Sequence, residues 1–187
     1  MEKEINESKN PWQISGSRAI YENPWIRVRE DAVLHPNGEP GIYGVVHMKN
    51  RAIGVLPVDE DGYTYLVGQY RYTLNAYSWE IPEGGGAMDE TPEDAARREL
   101  QEETGFTAKR LELLGRAHLS NSVTDEAAFI FLATDLTAGE AQPEGSEELQ
   151  VRRVPIEEAV AMVLRGEITD SMSVIALLRF ALMQQKT

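Results

Sequence analysis

From Trp79 to Phe106 the chain reads WEIPEGGGAMDETPEDAARRELQEETGF: a strand-like start, three consecutive glycines, then an acidic and alanine-rich run. Thr91 suits a helix N-cap, Pro92 the first helical position and Asp94 the capping-box acid, while Gly105 is a natural stop. Ala95, Ala96 and Leu100 between them favour helix. The segment is therefore a strand, a glycine loop and a helix. On that helix Glu99 and Glu103 stand one turn apart, roughly 40° around the axis and about 6 Å along it, with Glu102 beside them. Like charges at this spacing cost roughly 0.2–0.5 kcal/mol per pair, and a hard, oxygen-seeking cation such as Mg²⁺ would relieve them.

An acidic pair on a helix is ordinarily a solvated face, and Arg98 is placed to hold Glu102 in a simple i,i+4 ion pair. The glycines change that reading. Gly84 to Gly86 let the backbone turn tightly and offer carbonyls to a metal or amides to a phosphate beside a helix N-terminus.

Upstream, short apolar runs alternate with turn signals, including Asn37-Gly38 and Asp61-Gly62. They predict antiparallel strands at Ile14–Tyr21, Trp25–Leu34, Ile42–Met48, Ala52–Asp59 and Tyr63–Tyr70, the first three able to form a small sheet of their own. Downstream, strands are expected near Leu111–Leu119 and Ala127–Asp135, and helices at Ile156–Arg165 and Ser171 to about Gln184. The last carries an apolar stripe of Val174, Ile175, Leu177, Leu178, Ala181 and Leu182. The fold class is α+β, in α/β/α layers. Residues 1–50 read as an N-terminal strand region and 51–187 as the domain that carries the motif.

The 187 residues, 42% hydrophobic and 26% charged, fit a soluble globular protein with one main core. No apolar run approaches the roughly 18 residues of a membrane span, and Met1 to Asn10 has no signal-peptide character, so a cytoplasmic protein is expected. Cysteine is absent, which excludes thiolate ligands and nucleophiles. A net charge of −13 argues against nucleic-acid partners, yet suits a small phosphorylated substrate if cations occupy some of the 31 acidic residues. Most of those acids are simply solvated surface.

Gly84, five residues, Glu90, seven residues, Arg98-Glu99-Leu100, one residue, Glu102-Glu103, one residue and Gly105-Phe106 match without a gap the signature of the Nudix hydrolase family. The resemblance covers residues 84 to 106 directly and, less specifically, most of the chain from about Ile14 onward. It implies a Nudix-type sandwich with a mixed central sheet and an N-terminal antiparallel extension. It also implies Mg²⁺, with Mn²⁺ as a substitute, held by Glu99 and Glu103, by Glu102 directly or through water, and by the carbonyl of Glu83. Arg98 would then orient a carboxylate and Glu90 would support the loop.

Gln69-Tyr-Arg71, Trp79-Glu80-Ile-Pro82 and Gly166-Glu-Ile-Thr-Asp170 resemble the ADP-ribose and nucleoside diphosphate sugar pyrophosphatase branch. There Arg71 would meet substrate phosphate and Glu80 would bind substrate or metal-bound water. Where that branch commonly has Ser-Pro-Gly-x-Ser-Asp-Glu, this chain has Ser120-Asn-Ser-Val-Thr-Asp-Glu126. Asn121 and Glu126 are thereby substrate-binding candidates, and loss of the proline widens the expected range to nucleoside diphosphate sugars in general. The acidic loop offers Glu144, Glu147 and Glu148 as the base, Glu147 fitting best by its distance from Val151. The expected reaction is cleavage to a nucleoside monophosphate and a sugar phosphate. The rivals are a house-cleaning nucleoside triphosphatase and a non-catalytic nucleotide-sugar sensor. Trp12, Tyr21, Trp25 and Tyr43 among the first strands suggest a homodimer interface, an ordinary local core being the alternative.

Overall fold

The computed structural model describes residues 9–141 and 148–185, which fall into two compact units. The smaller comprises residues up to Lys49 together with 120–126, and the larger comprises 50–119 with the remainder from Ala127 onward.

In the smaller unit, β1 (Gln13–Glu22), β2 (Ile26–Leu34) and β3 (Pro40–Met48) form an antiparallel sheet in that order. The register runs from Gln13 opposite Leu34 and from Ile26 opposite Met48. Residues 120–126 fasten to β3: Val46 N–H donates to the Val123 carbonyl at 2.8 Å, and Tyr43 Oη donates to the Ser122 carbonyl at 2.7 Å. Asp125 takes the Met48 N–H at 3.0 Å and pairs with His47 Nδ1. Trp12 lies edge-on to Tyr43, ring centroids 5.3 Å apart.

The larger unit is built on a mixed sheet ordered β7-β4-β9-β8, from β4 (Arg51–Pro57), β7 (Glu83–Gly86), β8 (Phe106–His118) and β9 (Ala127–Ala138). β4 and β9 run parallel, and the other pairs are antiparallel. A second, antiparallel sheet has the order β10-β5-β6, from β5 (Tyr63–Arg71), β6 (Ala76–Glu80) and β10 (Gln150–Pro155). β4 is buried on both faces, and its alternation divides the core. Ile53 and Val55 pack with Ala95, Ala96 and Leu100 of α1 (Pro92–Thr104). Ala52 and Leu56 join Leu66 and Ile81, together with residues of α2 (Ile156–Leu164) and α3 (Ser171–Gln184), among them Met162, Ala176, Leu177 and Phe180. Helices thus cover both faces of the mixed sheet.

Three details depart from the sequence reading. The glycine segment is not a loop but strand β7, paired with β4 from Arg51 opposite Gly86 to Gly54 opposite Glu83. A Cβ on Gly86 would come within 2.9 Å of Ile53 and 3.1 Å of Ala95, so strand, sheet and helix close up only because that side chain is missing. β10 was not anticipated, since only Val154 of its six residues is buried and no apolar alternation marks it. The buried face of α3 is Met172, Ser173, Ala176, Leu177 and Phe180, a stripe rotated from the expected one, with Leu182 59% exposed.

Candidate active site

Three elements of the larger unit converge where β6, β7 and α1 meet. α1 begins where the Thr91 hydroxyl accepts the Asp94 N–H at 3.1 Å, and it ends on Gly105 in the left-handed conformation. With the helix ends fixed and Leu100 buried against the sheet, Glu99 and Glu103 are carried into the protein, 8% and 3% exposed. Glu103 Oε2 accepts the Glu83 N–H of β7 at 3.0 Å. A Cβ on Gly84 would lie 2.3 Å from the Glu99 carboxylate, so that carboxyl group rests directly on the strand backbone. Here the glycine serves close approach rather than a turn.

Arg98 ties the cluster together. Its Nε and Nη2 donate to Glu90 at 3.2 and 3.1 Å, Nη1 donates to Glu99 at 2.7 Å and Glu102 at 2.9 Å, and Nη2 also reaches the Gly85 carbonyl at 3.0 Å. The Glu90 hydrogen bond is the main reason its pKa rises above the ordinary value; burial opposes this, and bonds to Glu99 and Glu102 add to it. Arg51 secures the same loop, donating to the carbonyls of Ala87, Met88 and Glu90. It is a supporting residue the sequence reading missed, because its partners are all backbone.

Arg71, at the end of β5, donates through Nε to both oxygens of buried Glu80 at 3.0 Å each, and through Nη2 to Glu80 and Glu83. Burial works against its charge, yet the Glu80 bond and the charges of Glu83, Glu80 and Asp170 outweigh this and raise its pKa. Asp170 is the second residue missed. It caps α3, accepting the Ser173 N–H at 2.8 Å, and Ser173 Oγ in turn accepts the Ile81 N–H at 2.9 Å. This chain of bonds sets Asp170 beside Glu80 and Glu83, so that one carboxylate oxygen from each of the three lies within 4.8 Å of the other two. In the sequence it stands only as the last residue of the Gly166-Glu-Ile-Thr-Asp170 stretch, with no role attached to it. Burial pushes the Glu83 carboxyl well above the usual range, and the charges of Asp170 and Glu80 push it further against the pull of Arg71.

The structure therefore gathers seven acids: Arg71 hydrogen-bonds Glu80 and Glu83, Arg98 hydrogen-bonds Glu90, Glu99 and Glu102, Glu103 accepts the Glu83 N–H, and Asp170 stands beside Glu80 and Glu83. An all-oxygen donor set with excess negative charge, two of its acids buried against the backbone of β7, fits a hard divalent cation. Asn121 and Glu126 belong to the other unit, in the segment fastened to β3; burial, then the nearby Asp125 charge, raises the Glu126 pKa. Glu144 and Glu147 lie outside the described residues, and Glu148 is exposed. No helix among the described residues is long and apolar enough to cross a membrane.

Comparison with known proteins places the chain in a family. The NUDIX domain model matches residues 48–174, and that of the nucleoside diphosphate sugar hydrolase N-terminal domain matches 12–46. The ADP-ribose pyrophosphatase of Bacillus subtilis is 36% identical over 163 residues, covering 84% of this chain and 87% of that protein. The ADP-ribose pyrophosphatase of Mycobacterium tuberculosis is 30% identical over 177 residues, covering 91% and 84%. A crystal structure of an ADP compounds hydrolase superposes with a TM-score of 0.85 at 21% identity, covering 97% of this chain and 98% of that one, a likeness of fold. The chain belongs to the Nudix hydrolase family, in its ADP-ribose and nucleoside diphosphate sugar pyrophosphatase branch.

Proposed function

We propose that the chain hydrolyses the pyrophosphate bond of nucleoside diphosphate sugars, ADP-ribose included, to a nucleoside monophosphate and a sugar phosphate. The observation that carries this reading is the seating of Glu99 and Glu103 on the backbone of β7, with Arg71 at the same corner. Glu99, Glu103 and the Glu83 carbonyl would hold Mg²⁺ or Mn²⁺, with Glu102 as a further ligand. When bound, that ion neutralises phosphoryl oxygens and lowers the pKa of a coordinated water.

The protein's own residues do the rest. Arg98 spans Glu90, Glu99 and Glu102 and keeps those carboxylates in one orientation. Arg71 is offered to the diphosphate as a planar donor, and Glu80 holds it in place until substrate arrives. Glu147 takes the proton of the attacking water. Asn121 and Glu126, in the smaller unit, are the further substrate-binding candidates. Asn121, which both donates and accepts hydrogen bonds, suits a pocket open to hexose hydroxyls.

The protein works in the cytoplasm as a homodimer joined through the N-terminal sheet. All ten residues of β1 are exposed, and Ile14, Tyr21, Trp25 and Ile42 leave apolar surface on that sheet. The test of the activity is Mg²⁺-dependent product release from ADP-ribose, GDP-mannose, UDP-glucose and nucleoside triphosphates. Cleavage of the sugar diphosphates supports the reading. Turnover of triphosphates alone, or of nothing, refutes it.

A further inference from the structure

We propose that the side chains of Glu80, Glu83 and Asp170 form a second divalent-cation site, separate from the carboxylates of α1. They come from three elements, the end of β6, the start of β7 and the cap of α3, yet one carboxylate oxygen from each lies within 4.8 Å of the other two. Oxygens bound to one ion at about 2.1–2.4 Å stand about 3 Å apart when adjacent and up to about 4.8 Å apart when opposite, so one Mg²⁺, Mn²⁺ or Ca²⁺ fits this spread.

A second observation points the same way. The Glu83 side chain is 8% exposed, and its Oε2 is sealed from solvent with no hydrogen-bond donor among the described residues. Its neighbour there is another acid. Arg71 supplies one positive charge to three carboxylates, which leaves negative charge without a partner where desolvation is costly. The ligands are also held in advance: Asp170 by the Ser173 N–H, and Ser173 by the Ile81 N–H. A cation here takes over the charge that Arg71 now balances and frees its guanidinium for an anion. That consequence rests on the diphosphatase reading; the site itself does not.

The test is Mn²⁺ binding, followed by calorimetry and electron paramagnetic resonance near pH 8, in the chain carrying E99Q and E103Q. One Mn²⁺ per chain is expected to remain. Adding E83Q and D170N, which keep the side-chain shapes and the α3 cap, should weaken that binding by about tenfold or more. Circular dichroism verifies the fold of each variant. If E99Q/E103Q does not fold, the same loss of one Mn²⁺ is sought between the unaltered chain and E83Q/D170N. Absence of the residual ion, as a shared proton in its place would give, overturns the proposal, and so does binding that survives E83Q/D170N. Failure of the diphosphatase reading leaves a different trace: Mn²⁺ binds, but no substrate is cleaved.

Discussion

Gly84 and Glu99 concentrate the chemistry of the site into one contact. A methyl group at position 84 would have to occupy space 2.3 Å from the Glu99 carboxylate, so Gly84→Ala displaces the proposed metal ligand without touching its charge. Divalent-cation affinity, read by calorimetry, should fall about 10–100-fold, and turnover with it, while the thermal midpoint moves little. Unchanged affinity would mean that Glu99 is not a ligand. Glu103→Gln should lower turnover by about a hundredfold or more in steady-state assays, because an amide is a poorer Mg²⁺ ligand than a carboxylate. Stability should hold or rise slightly as repulsion along α1 is relieved. Glu99, Glu102 and Glu103 were legible in the sequence because helix periodicity places them on one edge. Asp170 was not, since its approach to Glu80 and Glu83 depends on the turn before α3 and on Ser173, neither of which has a sequence period.

At the level of elements, β10 is held to the β4–β5 turn by Asp59, which accepts from Tyr63 N–H at 2.9 Å, Tyr65 Oη at 3.1 Å and Arg153 Nε at 2.9 Å. Burial opposes the charge of Asp59, but these bonds outweigh it and hold the carboxyl below its ordinary 3.8. A depressed folded-state pKa contributes stability that is present above 3.8 and lost as pH falls through the folded value. Asp59→Asn should therefore cost about 1–2 kcal/mol in denaturant melts near neutral pH, a gap that closes on acidification. A gap that widens in acid would contradict this account. The same strand exposes a limit of sequence reading. β10 pairs residue by residue with β5 from Gln150 opposite Gly68 to Pro155 opposite Tyr63, yet its Arg152-Arg153 centre has no strand pattern. β7 was read as loop for the opposite reason, because three glycines have low β-propensity and only the close packing of β4 and α1 makes them a strand. α1 was legible almost to the residue, its caps being local chemistry.

For the whole molecule, the exposed strand β1 and the apolar surface of Ile14, Tyr21, Trp25 and Ile42 predict a dimer by sedimentation at micromolar concentration, and monomer alone would count against it. The α/β/α layering was legible from the order of periodic segments. The membership of residues 120–126 in the N-terminal unit was not, because it is set by pairing with β3 across more than half the larger unit's sequence. The central claim is the activity, and steady-state kinetics with Mg²⁺ on ADP-ribose, a set of nucleoside diphosphate hexoses and nucleoside triphosphates, with products identified, tests it most directly. The account predicts a nucleoside monophosphate and a sugar phosphate, with at least one hexose substrate within about tenfold of ADP-ribose in kcat/KM or above it, a gap of about 1.4 kcal/mol. Absence of diphosphate cleavage, or a preference for triphosphates by about a hundredfold, would contradict it.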